Sequence, residues 1–386
     1  MVQFWYDLCL NSYVSINQCD LGIHRKKLLI KRKYMFTDLP QSSNDLYQQV
    51  LRECLIALKF NTFLDNYDSE RFENVSNNNS MLFDANTYAN QFRWFHNNYE
   101  KIYDAYKILG DEYSKKMYLY ILAYRLAGFH SVRIPVEFNE NSEKYIKYKE
   151  SEKFVESKIN LDGMFGGLKH YDFYFEGVRY KADCFGLKYC LYRKQYFYNK
   201  QKILIEPNLG DYVIDGGACL GDTSIVFANK VGEEGCVYSF DPIWEHLQVL
   251  KYNVEQNSNL NIKVMPYGLS DFDFYCEPLR LNSYNPGFKA IGDNLPMRTI
   301  DSLLIDGEIK KADYIKLDVE GSELAALKGA SATIRKFSPK LGVSLYHRPN
   351  DIFELPLYIK ENYPKYNIYV DHYTIHNEET VMYCTV

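Results

Sequence analysis

The sequence predicts an α/β protein, a mostly parallel sheet flanked by helices and preceded by a mainly helical N-terminal region. Three observations predict it. Asp211 to Pro242 reads DYVIDGGACLGDTSIVFANKVGEEGCVYSFDP, which is apolar strand, glycine turn, amphipathic helix, second apolar strand and a terminal acid. Ala312 to Ala330, ADYIKLDVEGSELAALKGA, repeats the order of strand, acid, glycine turn and helix. Before about residue 130, by contrast, apolar residues recur three and four apart, the spacing of one helix face. A strand, a helix and a parallel strand form a right-handed unit, and such sheets hold ligands outside the carboxyl ends of their strands.

At 386 residues the chain is long for one domain. We expect a helical region over 1–160 and the sheet-bearing domain over 161–386. The net charge of −5 argues against a general nucleic-acid binder. Nine cysteines, at 9, 19, 54, 184, 190, 219, 236, 276 and 384, include no C-x-x-C pair, so neither a zinc site nor a redox pair is expected. No charged n-region with an apolar h-region opens the chain, and no apolar run approaches the ~20 residues that span a bilayer. A reduced, cytoplasmic protein with buried thiols follows.

His24 to Lys33, HRKKLLIKRK, is a basic cluster that suits either a solvated face or an anionic partner. After Pro40, Ser43 or Asn44 can cap a helix whose face is Tyr47, Val50, Leu51, Cys54, Leu55 and Leu58. Glu73 to Ser80 reads as a polar linker. A second helix carries Phe92, Phe95, Tyr99, Tyr103, Tyr106 and Leu109 and closes at Gly110. Asp111 opens a third, with Met117, Ile121, Leu122 and Leu126 on one face and Gly128 as its stop. Residues 141–160 are charged, an exposed helix or a linker. From 171 to 200 the chain turns aromatic and alternates around Gly177, a hairpin pattern. Tyr192, Arg193, Gln195 and Tyr196 end that segment, either as hairpin packing or as the rim of a substrate entrance.

The turn after the first sheet strand carries the chemistry. Tyr212 to Ile214 end on Asp215, Gly216 and Gly217 follow, and Gly221 precedes a helix over Thr223 to Lys230. Residues without a Cβ let backbone approach a ligand, and the helix start offers free N–H groups. Asp241, at the end of the Val237 to Phe240 strand, lies 24 positions after Gly217. That is near the ~20-residue offset at which an acid meets a ribose diol. The pattern here is D-x-G-x-x-x-G rather than the dinucleotide G-x-G-x-x-G. Asp215 and Asp222 would also repel a pyrophosphate. A nucleoside with a cationic head fits better, and S-adenosylmethionine combines an ammonium, a sulfonium and an adenosine.

Trp244 to Gln256 reads as an amphipathic helix and Ile262 to Pro266 as the third strand, which places Gly268, Leu269, Ser270 and Asp271 beside the adenine. Asp273 to Pro296 is irregular and long enough for a lid or an inserted hairpin. Tyr314 to Leu317 is the next strand, with Asp318 at its end, then Glu320, Gly321, Ser322 as a candidate cap, and Glu323. Crowded carboxylates raise at least one pKa, which suits a general base, while Glu320 and Glu323 equally suit a helix start. The Pro339 to Tyr346 strand places His347 at its end as a base or substrate contact. Ile368 to Tyr373 and Thr380 to Val386 read as a terminal antiparallel hairpin.

The segments VIDGGACLGDTS, VYSFDP, ADYIKLDVEGSELAALKGA and PKLGVSLYHR together resemble FkbM-type methyltransferases over roughly 105–386. Asp241 stands where many members carry Glu. The resemblance implies a Rossmann-like class I fold, a mostly parallel seven-stranded sheet with an antiparallel last strand. It implies O-methylation of a small-molecule or sugar hydroxyl, with S-adenosylhomocysteine as product and no metal. On this reading Asp215 and the backbone near Gly217 hold the methionine moiety, Gly221 shapes the turn, and Gly216, Ala218, Asp222 and Thr223 are further cofactor-binding residues. Asp241 and Pro242 take the ribose, and Gly268, Leu269 and Ser270 flank the adenine. Asp318, Glu320, Glu323 and His347 face the methyl group. A nicotinamide oxidoreductase and a non-catalytic cofactor-binding scaffold are the alternatives, and a homo-oligomer is compatible with each.

Overall fold

The computed structural model describes residues 35–63, 66, 85–136, 143–159, 167–276 and 295–386. Residues 40–386 form one compact unit and 1–39 another. The basic cluster His24 to Lys33 and the Glu73 to Ser80 linker lie outside the described residues, as does 277–294 of the expected lid or hairpin.

Helices α1 (Ser43–Phe60), α2 (Ala85–Lys107) and α3 (Glu112–Ala127) pack on one another. Ser42, rather than Ser43 or Asn44, caps α1, its Oγ accepting from the Asp45 N–H at 3.1 Å. Asp111 caps α3 as expected, accepting from Ser114 N–H at 2.7 Å. Helix α3 is buried almost all round, not on the single face of Met117, Ile121, Leu122 and Leu126. It is wedged between α1 and α2 on one side and the sheet on the other. Its apolar residues accordingly run round the whole helix and not along one stripe, the pattern of an interior helix.

Next come α4 (Glu143–Ser151), β1 (Phe154–Glu156), β2 (Lys169–Phe175) and β3 (Val178–Cys184). The three strands form an antiparallel sheet in that order. Glu176 (φ 49°) and Gly177 (φ 81°) make the tight β2–β3 turn, the left-handed pair that matches strand twist. The aromatic stretch holds a second hairpin that the alternation does not separate: β4 (Tyr198–Lys200) and β5 (Ile203–Ile205), after a π-type turn at Lys188–Tyr192.

The rest alternates. β6 (Tyr212–Gly216), α5 (Asp222–Val231), β7 (Cys236–Phe240), α6 (Trp244–Gln256) and β8 (Ile262–Met265) come first. β9 (Gly268–Leu269), β10 (Phe274–Cys276) and β11 (Leu295–Arg298) form a small sheet in the order β10-β11-β9, with Cys276 opposite Leu295. α7 (Ile300–Ile305), β12 (Tyr314–Leu317), α8 (Glu323–Gly329), α9 (Ser331–Phe337) and β13 (Lys340–Ser344) follow. α10 (Asp351–Asn362), β14 (Asn367–His372) and β15 (Thr380–Thr385) are the last elements. The main sheet runs β14-β15-β13-β12-β6-β7-β8, and only β15 is antiparallel to its neighbours. This is the arrangement that the resemblance implies, a mostly parallel seven-stranded sheet with an antiparallel last strand. Its strand order reverses direction between β6 and β12, where such sheets form their ligand crevices.

Tyrosines join the helices to the sheet. Tyr113 donates to Asp371 Oδ1 at 2.6 Å, Tyr198 donates to Asp111 Oδ2 at 2.6 Å, and Ser114 Oγ accepts from Val370 N–H at 2.9 Å. Each of these rings thus keeps a partner for its polar end, which burial otherwise penalises. Among the described residues no helix is long and apolar enough to cross a membrane.

Candidate functional site

A cavity of about 420 Å³ opens at the carboxyl ends of β6, β7, β12 and β13. That size suits a nucleoside-scale ligand. The turn after β6 supplies Gly217, Ala218, Cys219, Asp222 and Thr223, and β7 with the start of α6 supplies Asp241, Pro242 and His246. Gly268 and Leu269 line it as well, and Asp318 and Glu320 close the side after β12. Of the expected entrance residues, Gln195 and Tyr196 line the cavity; Tyr192 instead stacks on Tyr148 in the core, and Arg193 is likewise off the wall.

The glycine turn is dictated by crowding. Gly217 has φ +77°, and a Cβ there would stand 1.8 Å from the Asp318 carbonyl oxygen, so only glycine lets the β6 and β12 ends meet. Gly221 has φ +89° at the N-cap of α5 and supports the helix start without lining the cavity. Gly216 likewise lies inside the strand.

Asp215 departs from its expected contact with the methionine moiety. It is fully buried and does not line the cavity. Oδ2 accepts from Thr223 Oγ1 at 2.8 Å and Ser224 Oγ at 2.6 Å, and Oδ1 lies 3.0 Å from Lys316 Nζ. Lys316, itself buried, also donates to the Gly217 carbonyl at 2.8 Å. This ion pair is the rivet under the glycine turn. Asp222, the first residue of α5, is the acid that faces the cavity on that side. Burial pushes its carboxyl up to about 6, with Asp215 adding to the rise and Lys316 opposing it.

Asp241 follows β7 at its carboxyl end and lines the cavity. Its Oδ2 accepts from Cys219 N–H at 3.0 Å and Oδ1 from Ile243 N–H at 2.9 Å, while His246 Nδ1 lies 3.1 Å from both oxygens. Two oxygens offer about four acceptor directions, so the carboxylate is oriented and retains capacity toward the cavity. Cys219 holds φ 47°, a conformation that side chains rarely adopt, and Glu320 holds φ 53° across the cavity. Such backbone outliers gather at functional sites. Ser270, expected beside the adenine, does not line the cavity: its N–H bonds to Arg298 O and its carbonyl packs against Gly329.

The four expected catalytic residues do meet, in two layers. Asp318 and Glu320 line the cavity, and Glu323 and His347 stand behind them. Asp318 accepts from Tyr196 Oη at 2.8 Å and from Tyr346 Oη at 2.9 Å. Burial works against its charge, but His347, Lys316 and the Tyr196 hydroxyl outweigh that and hold it below its ordinary value. Glu323, only 1% exposed, accepts through Oε1 from Val319 N–H and from His347 Nδ1–H, both at 2.8 Å. It thereby caps the turn before α8, the task expected of Ser322, whose side chain makes no cap bond. The imidazole of His347 is pushed up to about 9, because Glu323, Asp318 and Glu320 overcome the cost of burying its charge. That rise favours the protonated imidazole in the unliganded cavity.

Lys316, His246, Tyr346 and Glu379 also line the cavity, although no motif singles them out. A lysine between Ile315 and Leu317 in a four-residue strand is the one sequence signal among them, since a charge inside an apolar strand needs a buried partner. Glu379, bonded to Gln195 Nε2 at 2.6 Å, comes from the β14–β15 loop, which only the closed sheet brings to this end.

Residues 215–372 match the family model described as the Methyltransferase FkbM domain. The hexuronic acid methyltransferase AglP of Haloferax volcanii is 27% identical over 139 residues, 34% of this chain and 55% of that protein. The crystal structure of methyltransferase FkbM from Methylobacillus flagellatus KT is 20% identical, with a TM-score of 0.51 over 76% of this chain and 60% of that one. The chain therefore spans little more than half the length of these two proteins.

Proposed function

Because residues 215–372 match the FkbM methyltransferase domain model, we infer that the chain transfers the methyl group of S-adenosylmethionine to a hydroxyl of a sugar or other small molecule. The observation that carries this is the acidic cavity at the sheet's switch point, with Asp222 on one wall, Asp241 on the next and Asp318 with Glu320 opposite. Three acidic walls suit an ammonium and a sulfonium and oppose a diphosphate. A sugar acceptor is supported by the likeness to a hexuronic acid methyltransferase and by Phe185, Tyr189 and Tyr346 on the cavity wall, whose ring faces stack on pyranoses. The buried free thiols of Cys54, Cys184, Cys190, Cys236 and Cys384 suit a reducing, cytoplasmic setting.

In this reading Asp241 accepts from the ribose hydroxyls, and Gly268 and Leu269 flank the adenine. Asp222 and the backbone from Gly217 to Cys219 hold the methionine end. The acceptor oxygen attacks in line, forming its bond to the methyl carbon as the carbon–sulfur bond breaks with both electrons left on sulfur. Asp318 or Glu320, the two carboxylates on that wall, takes the hydroxyl proton. Alignment of oxygen, carbon and sulfur supplies much of the acceleration.

Calorimetry tests the cofactor. S-adenosylmethionine should bind and NAD should not. Because Asp222 sits near pH 6 when the cavity is unliganded and a cation beside it favours the carboxylate, affinity should rise as pH climbs through about 6 and decline below it. A flat profile would remove Asp222 from the cofactor's charge. For the acceptor side, Asp318→Asn should reduce turnover by roughly 10²- to 10⁴-fold and leave cofactor affinity nearly unchanged. Full turnover on an acceptor that the unsubstituted chain methylates would exclude Asp318 as the base.

A further inference from the structure

We propose that His347 Nε2, Asp318 Oδ1 and Glu320 Oε2 hold a divalent transition-metal cation at the acceptor end of the cavity, with Glu323 steering the imidazole from behind. This departs from the metal-free chemistry that the family resemblance implies. Nε2 lies 3.4 Å from Asp318 Oδ1 and 3.6 Å from Glu320 Oε2. The longer separation exceeds a hydrogen bond. The shorter matches the edge of a coordination shell, since ligand atoms bound at ~2.0–2.2 Å to one ion stand roughly 3–3.5 Å apart, and the longer lies just beyond it. Among the described residues, one donor atom each from Asp318, Glu323 and His347 falls within 4.8 Å of the others, a group that holds Glu323 and does not include Glu320.

The second observation is a buried nitrogen that approaches two carboxylates yet makes no hydrogen bond. The His347 side chain is only 6% exposed, and Nε2 has no hydrogen-bond partner, although Asp318 and Glu320 both face it. Its other nitrogen is committed: Nδ1–H donates to Glu323 Oε1, which is pinned in turn by the Val319 N–H. A carboxylate behind a histidine fixes the tautomer that turns the Nε2 lone pair forward, the usual outer arrangement of a metal-bound imidazole. Asp318 is oriented by the Tyr196 and Tyr346 hydroxyls. Glu320, 56% exposed at the cavity mouth, can close the shell. One imidazole and two carboxylates suit manganese, iron(II) or zinc better than magnesium or calcium.

The consequence rests on the methyl-transfer reading. A free coordination position would take the acceptor's hydroxyl oxygen and acidify it. The proton passes through Glu320 to solvent, the oxygen bonds to the methyl carbon, and the carbon–sulfur electron pair stays on sulfur. A cation here would also neutralise a wall that otherwise repels an acidic sugar.

Manganese(II) titrated into the chelator-treated full chain tests this, with the free ion followed by electron paramagnetic resonance. One ion per chain should bind, and His347→Gln should abolish binding. Glu323→Gln should weaken it by about ten- to a hundredfold, while Asp172→Asn on the outer hairpin should change nothing. Should His347→Gln fail to fold, Glu320→Gln decides, because its exposed side chain can change without disturbing the core. An unsubstituted chain that leaves the free-ion signal untouched at millimolar manganese overturns the proposal, as does binding that survives both His347→Gln and Glu320→Gln. S-adenosylhomocysteine calorimetry on the same samples separates the two readings. Cofactor binding without manganese binding removes only the cation; loss of cofactor binding in the unsubstituted chain removes the methyl donor.

Discussion

Lys316→Met should destabilise the fold by about 3–5 kcal/mol, the range for removing one partner of a buried ion pair. Lys316 and Asp215 are both almost entirely buried, and their side chains meet at 3.0 Å. Methionine fills similar space but leaves Asp215 charged and without its cation. The Gly217 carbonyl loses its donor as well, so the turn that forms one wall of the cavity loosens. Cofactor affinity should therefore fall together with stability. The double variant Lys316→Met/Asp215→Asn should recover most of the stability, because the amide still accepts from Thr223 and Ser224 and no unpaired charge remains. Denaturant unfolding decides: a loss below about 1 kcal/mol would mean that the pair behaves like a surface contact and does not hold the turn.

Asp241→Ala should weaken S-adenosylhomocysteine binding by at least about a hundredfold. Two hydrogen bonds to a charged acceptor contribute about 1.5–3 kcal/mol each, and 1.4 kcal/mol is a tenfold change. Part of the loss is indirect, since the carboxylate also ties Cys219 N–H, Ile243 N–H and His246 together. Asp241→Glu separates the two contributions. It keeps a carboxylate for the diol, as in many resembling sequences, but shifts the backbone contacts. Affinity that survives in Asp241→Glu and fails in Asp241→Ala assigns the effect to the ribose. Unchanged affinity in Asp241→Ala would take the ribose away from β7.

The α/β core is legible because its signals are local. The strand from Tyr212, the glycine turn and the helix after it follow one another in sequence, and the structure keeps their limits to within a residue or two. The terminal hairpin is equally plain, since β14 and β15 are adjacent in the chain. Helix α3 is less so: its surroundings on both sides come from distant segments, so the one-face pattern names only part of what is buried. The acidic motif residues can be found from sequence, but their division into walls and supports cannot. Whether Asp215 faces a ligand or Lys316, and whether Glu323 faces the cavity or His347, depends on which distant strands pair. Tyr346 and Glu379 carry no local signal.

The most direct test is a crystal structure of the full chain with S-adenosylhomocysteine. The ribose hydroxyls should lie on Asp241, the ammonium near Asp222 and the Gly217 turn, and the sulfur should point toward Asp318 and Glu320. A cavity that stays empty at saturating ligand, or a nucleoside seated with its ribose away from Asp241, would contradict the methyl-donor site.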